Sequence, residues 1–407
     1  MNERLLSPSR INDVTKGGRN NFILSTHNRI DKAGLIVCFS HLRWDFVFQR
    51  PQQILTRASE DYDVIYFEEP LFENCSCEST RVKTAAGGVQ VITPILPVDA
   101  DGVSLFLMQR RLLDELIADT PHDALITWYY TPMALPFSAH LRPDVCVYDC
   151  MDELSAFKDP PAGLFEREAQ LFSTADVVFT GGESLYQAKR NQHSRVYAFP
   201  SSIDASHFNK ARGELQDPTD QIDIPRPRIG FFGVIDERMD LTLVRETANR
   251  MPECQFVMLG PVVKIDPTSL PRASNLHWLG GKSYDDLPSY LAHWSAGWMP
   301  FALNESTRFI SPTKTPEFLA AGLPVVSTAI ADVVRPYGAL DLVGIAKADD
   351  MADKLRISLS KKSDAGWLNQ VDGFLAGKSW DKTWDAMSAH IARLQPLNGT
   401  ALMQRGA

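Results

Sequence analysis

The sequence lacks any apolar run that approaches the ~18–20 residues of a membrane-spanning helix. Its first stretch, Met1 to Lys32, is polar and has no apolar core of the kind a signal peptide carries. That stretch, extended to residue 33, is expected to be a disordered tail or an arm over the first domain, and the protein is expected in the cytoplasm. The six cysteines form no disulfide framework. Cys38 and Cys146 sit in apolar, strand-like runs, where a buried thiol is the usual state. Cys75 and Cys77 flank one serine without the further ligands a metal or redox centre needs. No zinc spacing, nucleophile elbow or Walker loop occurs. The net charge of −9 argues against a partner held through nucleic-acid phosphates, while leaving room for a local basic cleft.

What is present is a chain of 407 residues, long enough for two domains, with a hydrophobic content of 44% that suits a soluble globular protein. Continuous apolar runs at 34–39, 64–67, 89–94, 124–129, 145–149, 177–180 and 196–199 read as strands buried on both faces. Helical spacing at 48–59, 104–117, 163–173 and 184–192 separates several of them, so the first 200 residues read as βαβ units on a parallel sheet. Residues 205–228 are polar, carry Pro218, Pro225 and Pro227, and read as a linker. A second alternating series runs from Ile229 to Ile345, giving a second domain over 229–378. A last helix is expected from Ser379 to Leu394, with Trp380 and Trp384 one turn apart as packing anchors, followed by a tail over 395–407.

The most informative segment runs from Ser311 to Thr328 and reads as a loop, a short helix, a Gly322-Leu323-Pro324 turn and a buried strand. Ser311 and Thr313 are candidates to cap the helix, and Pro312 and Pro316 suit its start. A helix N-terminus favours an anion, and Lys314 adds a full positive charge in the first turn, where cations are normally disfavoured. A diphosphate docked there would explain the lysine, and Glu317, one turn on, would accept hydrogen bonds from ribose hydroxyls. This pattern, S-P-x-K-x-x-E-F-L-A-x-G-x-P-V-V, resembles the nucleotide-sugar site of GT-B glycosyltransferases, in the broad group that includes family 4. A second string, His41 to Gln52, resembles a GT-B subgroup reading H-L-R-W-D-F-V-[FY]-Q-R-P-Q. The resemblance implies an α/β fold of two doubly wound, Rossmann-like domains, an acceptor domain over 34–204 and a nucleotide-sugar domain after the linker, facing a central cleft. It also implies that the terminal helix crosses back to the first domain.

Carried over by position, Glu317 would hold the donor ribose, and Lys314 with the Ser311 and Thr313 loop the diphosphate. Arg238, in the loop after the strand ending at Gly233, matches the family's diphosphate cation, and Gly233 allows close backbone approach. Lys264 and Arg308 are further donor-side candidates, Arg308 by stabilising a leaving diphosphate. Each has a plainer reading: Arg238 as a loop residue paired to Asp236 or Asp240, and Arg308 as a surface ion pair with Glu305. Many retaining members carry a second Glu eight residues before the first; here that position is Phe309.

On the acceptor side, Trp44 is placed to stack on a sugar, Arg43 and Glu183 to bind acceptor oxygens, and His41 or Asp45 to take a proton. Asp149 and Asp152, at the end of a strand, are the candidate bases for deprotonating the acceptor hydroxyl, unless they cap the next helix or bind Arg43. No catalytic metal and no cofactor are expected beyond the nucleotide-sugar cosubstrate, a UDP-sugar by family frequency. The activity implied is transfer of a sugar to a glycan, lipid-linked or small-molecule acceptor (a hexosyltransferase, EC 2.4, of polysaccharide biosynthesis), without nucleic acid and with peripheral membrane association open. A nucleotide-sugar epimerase and a catalytically inactive nucleotide-sugar-binding subunit are the two other readings.

Overall fold

The computed structural model describes residues 32–395, so the tails expected at the two ends lie outside it save for their innermost residues. Two sheets organise the chain. The first is built from β1 (Leu35–Ser40), β2 (Asp63–Glu68), β3 (Leu71–Glu73), β4 (Ser79–Thr84), β5 (Gln90–Pro97), β6 (Leu125–Tyr129), β7 (Val145–Cys150), β8 (Val177–Thr180) and β9 (Val196–Ala198). Its order is β3-β5-β2-β1-β6-β7-β8-β9, parallel throughout, with β4 antiparallel on β5. The second holds β10 (Arg228–Phe232), β11 (Gln255–Leu259), β12 (Leu276–Gly280), β13 (Ala296–Met299), β14 (Val325–Ser327) and β15 (Val343–Ile345), all parallel, in the order β12-β11-β10-β13-β14-β15. All six residues of β1 are buried, because helices cover both faces of the sheet and leave no reason for polar alternation.

Four helices bear on the site: α1 (Arg50–Asp61), α2 (Glu183–Lys189), α3 (Lys314–Ala320) and α4 (Trp380–Ala392). At the start of α1, Gln52 Oε1 accepts the Gln49 N–H at 3.0 Å and Pro51 lies in the first turn, so the helix begins two residues later than its apolar spacing suggests. In each sheet the strand order reverses about the first strand: β1 lies between β2 and β6, and β10 between β11 and β13. Crevices form beyond the carboxyl ends of strands at such reversals. The loops after β1 and β10 therefore stand where ligands are held.

Two segments differ from the sequence reading. The stretch between the apolar runs at 64–67 and 89–94, in which the sequence reading places no strand, contains β3 and β4; β4 is largely exposed and held at the sheet edge by its ladder to β5, so no apolar run betrays it. Residues 205–228, expected as a linker, are not loose. Phe208, Ala211 and Ile224 join the core of the second half, and the buried Arg228 guanidinium pairs with Asp217 at 2.7 Å.

The chain's end returns to the first half, as the family resemblance implied. Trp380, Trp384, Met387 and Ile391 of α4 share a core with β1, β6, β7 and α1. Trp384 lies edge-on to Tyr62 at 6.2 Å and close to Trp128 at 6.3 Å. Because removing a buried indole leaves a large cavity, Trp384→Ala should destabilise the protein by about 3–5 kcal/mol, read as a lower denaturant midpoint; a midpoint unchanged from the parent would show that α4 is not part of this core.

Candidate active site

A cleft of about 730 Å³ separates the carboxyl ends of the two sheets. The first half supplies residues 44–50, Met151, Asp152, Gly181 and Ser201; the second supplies Gly233, Arg238, Tyr284, residues 310–314 and Glu317. The two strings singled out in the sequence thus face each other across one space.

Lys314 and Glu317 form the floor on the second side. The Lys314 side chain passes under Gly233: a Cβ on Gly233 would stand 2.0 Å from Lys314 Cε, and the backbone there has φ +129°, so glycine is required on both counts. Gly260, at φ +151°, backs onto Gly233 in turn, and its Cβ would meet the Gly233 carbonyl at 1.8 Å. The Lys314 ammonium lies 5.9 Å from the centre of the Phe231 ring. Burial lowers its pKa, and the neighbouring Glu317 charge opposes that. Glu317 is 7% exposed, and burial pushes its carboxyl up to about 7 against the pull of Lys314. Among the described residues neither side chain has a hydrogen-bond partner. Buried polar groups are ordinarily satisfied, so an unpaired cation and carboxyl one helical turn apart, both facing a cleft, mark a place built for a ligand.

The expected capping of α3 does not occur. Thr313 stands at the N-cap with no side-chain bond. Ser311 is used across the cleft instead: its carbonyl accepts the Ser201 hydroxyl at 2.6 Å and its Oγ accepts the Ser201 N–H at 3.4 Å. Arg238 makes the ion pair of its plainer reading and also lines the cleft. Its guanidinium is gripped by Asp236, with Nε 3.0 Å from each carboxylate oxygen and Nη2 2.6 Å from Oδ2, while the residue still lines the cleft. Lys264, held at φ +61°, places its ammonium 5.2 Å from the centre of the Phe157 ring, 5.6 Å from which lies the Arg238 guanidinium. Its charge reaches both His41 and Asp152.

On the first side, Asp152 lines the cleft, and burial raises its carboxyl above the usual range against the attraction of Arg238 and Arg50. His41 Nδ1 is buried without a partner among the described residues, and burial, aided by the Lys264 charge, lowers the imidazole pKa to about 4. The ring is therefore neutral at pH 7.

Five expectations need correction. Asp149 is fully buried and grips Arg50 through Nε at 3.0 and 3.1 Å and Nη2 at 2.9 Å, so it orients the start of α1 and cannot reach a substrate. Asp45, at the rim, is exposed and paired with Lys83 at 2.7 Å. Arg43 turns away to Glu68 at 2.9 Å and the Glu69 carbonyl at 2.5 Å. Glu183 is exposed and accepts from Gln187 on its own helix at 2.7 Å. Arg308 is 63% exposed and faces Glu305 at 3.4 Å, the plainer of its two readings. Trp44 does line the cleft, but it is 8% exposed and packs edge-on to Tyr66 at 4.9 Å, which limits how much of its face a sugar can cover.

Other site features had no clear sequence signal. Tyr284 lines the cleft between Phe48 (ring centres 4.4 Å apart) and His207 (4.2 Å), and its hydroxyl accepts from Gln53 at 3.2 Å. It thus joins the two halves. Asp332 of the second half caps α2 of the first, accepting the Ser184 N–H at 2.9 Å, with Gly182 making room for its carboxylate. Phe309, standing where retaining enzymes of the family carry their second Glu, packs against the core of the first half.

The separation of Asp149 from the chemistry is testable. Asp149→Asn leaves the Arg50 charge buried and uncompensated, and should cost roughly 3–5 kcal/mol of stability, measured by denaturant unfolding. A variant as stable as the parent would return Asp149 to the list of reacting groups.

No protein-family profile matches the chain. It is 25% identical over 309 residues to TuaH of Bacillus subtilis (strain 168), provisionally named a teichuronic acid biosynthesis glycosyltransferase, with 70% of this chain and 72% of that protein covered. Among solved structures it is similar to the UDP-forming alpha,alpha-trehalose-phosphate synthase of Burkholderia xenovorans in complex with glucose-6-phosphate, with a TM-score of 0.65, 11% identity, and 89% of this chain and all (100%) of that one covered. It is likewise similar to Anabaena HepE in complex with UDP and glucose, with a TM-score of 0.61, 12% identity, and 88% and 100% of the two chains covered. The chain has the GT-B fold, and its sequence and structure both resemble those of GT-B glycosyltransferases.

Proposed function

We propose that the chain is a glycosyltransferase that takes its sugar from a nucleoside-diphosphate donor, with UDP as the nucleotide. The observation that carries the reading is the pair Lys314 and Glu317, which line the interdomain cleft without hydrogen-bond partners among the described residues. In this reading Lys314 and the second face of Arg238 neutralise the diphosphate, and Glu317 accepts the two ribose hydroxyls. These cations replace the charge a metal ion would otherwise supply. The UDP seen in one structural neighbour and the name of the other suggest the nucleotide.

Asp152 is the group best suited to accept the acceptor's proton. It faces the cleft, and its raised pKa makes it a better base than an exposed carboxylate would be. The neutral His41 then serves to hold a hydroxyl rather than to remove its proton. With Phe309 in place of a second donor-side acid, a direct displacement that inverts the anomeric carbon fits the residues present. Closure of the halves would exclude water and limit donor hydrolysis.

Three measurements test this. UDP should raise the melting temperature, and Glu317→Ala should weaken its binding about tenfold or more. Asp152→Asn should leave that binding in place and slow transfer roughly 10²–10⁴-fold, while a chelator such as EDTA leaves transfer unchanged. The affinity for UDP-glucose, whose diphosphate does not titrate near neutrality, should rise as pH climbs through about 7. The sign follows because ribose hydroxyls donate to the ionised Glu317, so its protonation at lower pH removes an acceptor; Glu317→Gln should flatten the profile. UDP binding with no turnover across a broad acceptor panel would instead make the chain a non-catalytic nucleotide-sugar-binding subunit.

A further inference from the structure

A second cavity, of about 210 Å³, opens on the first half beside the carboxyl ends of β1 and β2. Three phenyl rings form its base: Phe39, Phe67 and Phe137, with centres 5.7–6.1 Å apart. Phe106 and Phe72 complete the walls. Two polar side chains, each more than nine-tenths buried, face into this apolar space with capacity to spare. Gln109 is 6% exposed and donates its Nε2 to the Leu105 carbonyl at 3.2 Å, but its Oε1 has no partner among the described residues. Thr131 is 4% exposed; its Oγ1 accepts the Met133 N–H at 3.2 Å, and among the described residues its hydroxyl proton is given to nothing. Ser40 and Glu68 also line the slot but are engaged by protein groups, and the exposed Glu69 stands at its edge. A phenyl-walled pocket with a spare buried acceptor and a spare buried donor is the make-up of a small-ligand site.

The slot also leads outward over apolar ground. Phe72, at its mouth, is 51% exposed, and Leu71 beside it 36%. β3 pairs with β5, and Val98 follows β5 directly. The helix Gly102–Ala118, which gives Phe106 and Gln109 to the slot, begins a few residues further on and exposes Val103 and Leu107. On the inner side the slot and the cleft share a partition: Glu68 lines the slot and accepts at 2.7 Å the N–H of Trp44, which lines the cleft. The surface around the mouth does not suit an anionic bilayer. Residues 69–119 carry eight acidic side chains against four basic ones, a balance of −4.

We infer that this slot holds the hydrocarbon end of an amphiphilic acceptor, an alkyl or isoprenyl chain. The inference rests on the glycosyltransferase reading for the word acceptor, but the binding site itself does not. A chain fits phenyl walls that a sugar, with hydroxyls on every carbon, would leave with unmet hydrogen bonds. A hydroxyl near its head would accept from Thr131 Oγ1 and donate to Gln109 Oε1.

The test is NMR of the full chain labelled with ¹³C at the methionine methyls, because Met133 lines the slot. Decyl β-glucoside, kept below its micelle concentration, should shift the Met133 methyl saturably, and glucose at the same concentration should not. Phe137→Trp, which overfills the base, should weaken the decyl glucoside at least tenfold; if circular dichroism shows that variant unfolded, Ala134→Leu fills the same space from another wall. Three results would overturn the proposal: no Met133 response to decyl glucoside, an equal response to glucose, or undiminished binding in the folded variant. Cosedimentation with phosphatidylglycerol vesicles in the absence of a Met133 response to the monomeric glycoside would also overturn it, assigning the patch to a membrane. The readout needs neither nucleotide nor turnover. Its failure therefore leaves the donor-site reading standing, and loss of UDP binding leaves the slot standing.

Discussion

The structure turns on a cation and a carboxyl, Lys314 and Glu317, that are buried and have no hydrogen-bond partner among the described residues. Folding ordinarily charges heavily for such groups, and the chain meets that cost through backbone devices around them. Gly233 has no Cβ because the Lys314 side chain occupies its place, and Gly260 has none because Gly233 does. Asp236 holds Arg238 at the cleft wall without consuming both faces of its guanidinium. Burial pulls both ionisations toward neutrality: the Lys314 ammonium is weakened and the Glu317 carboxyl is raised to about 7, each restrained by the other. In the reading proposed above, an incoming nucleotide that supplies two negative groups to the lysine and two hydroxyls to the glutamate would relieve both at once.

That arrangement is useful only if the opposite wall stands in place, and several contacts set the wall. The buried Arg50–Asp149 pair fixes the entry to α1 at the end of β7, next to Asp152. Tyr284 reaches from the second half to Phe48 and Gln53 of the first. Asp332 caps α2 across the gap, Ser201 meets Ser311, and α4 brings the chain's end back onto the first sheet. At the mouth of the cleft the hydrogen bonds of Ser201 and Asp332 stand beside two aromatic contacts, Tyr284 on Phe48 and Phe309 on the first core, while the larger apolar contact is made by α4. Polar, hydrogen-bonded contacts of this kind can break and re-form with little cost in exposed apolar surface, which suits two halves that open to admit a substrate.

Much of this was legible in the sequence, for identifiable reasons. Strands buried on both faces write continuous apolar runs, so β1, β2, β6 to β8, β10, β11, β13 and β14 could be read directly, and strands alternating with helices specify a parallel sheet. The Ser311–Thr328 segment was readable because a lysine in a first turn defies the helix dipole and so asks for a reason. The exposed β4 was not readable, since an edge strand needs only its ladder. Nor was the packing of residues 205–228, where a few apolar side chains among prolines suffice to join a core. Within the site, charge alone misled. Asp149, Asp45, Arg43, Glu183 and Arg308 are the right residue types in nearly the right loops, but each is engaged elsewhere, and only side-chain direction separates them from Asp152. Tyr284 and Asp332 act across the gap between halves, a relation that no local pattern encodes.

The central claim is most directly tested by a crystal structure of the protein grown with UDP. The account predicts the diphosphate within hydrogen-bond distance of Lys314 and the ribose hydroxyls on the Glu317 carboxylate, in the space between Gly233 and Ser311. A nucleotide bound elsewhere, or a cleft in which Lys314 and Glu317 remain untouched at saturating UDP, would contradict it.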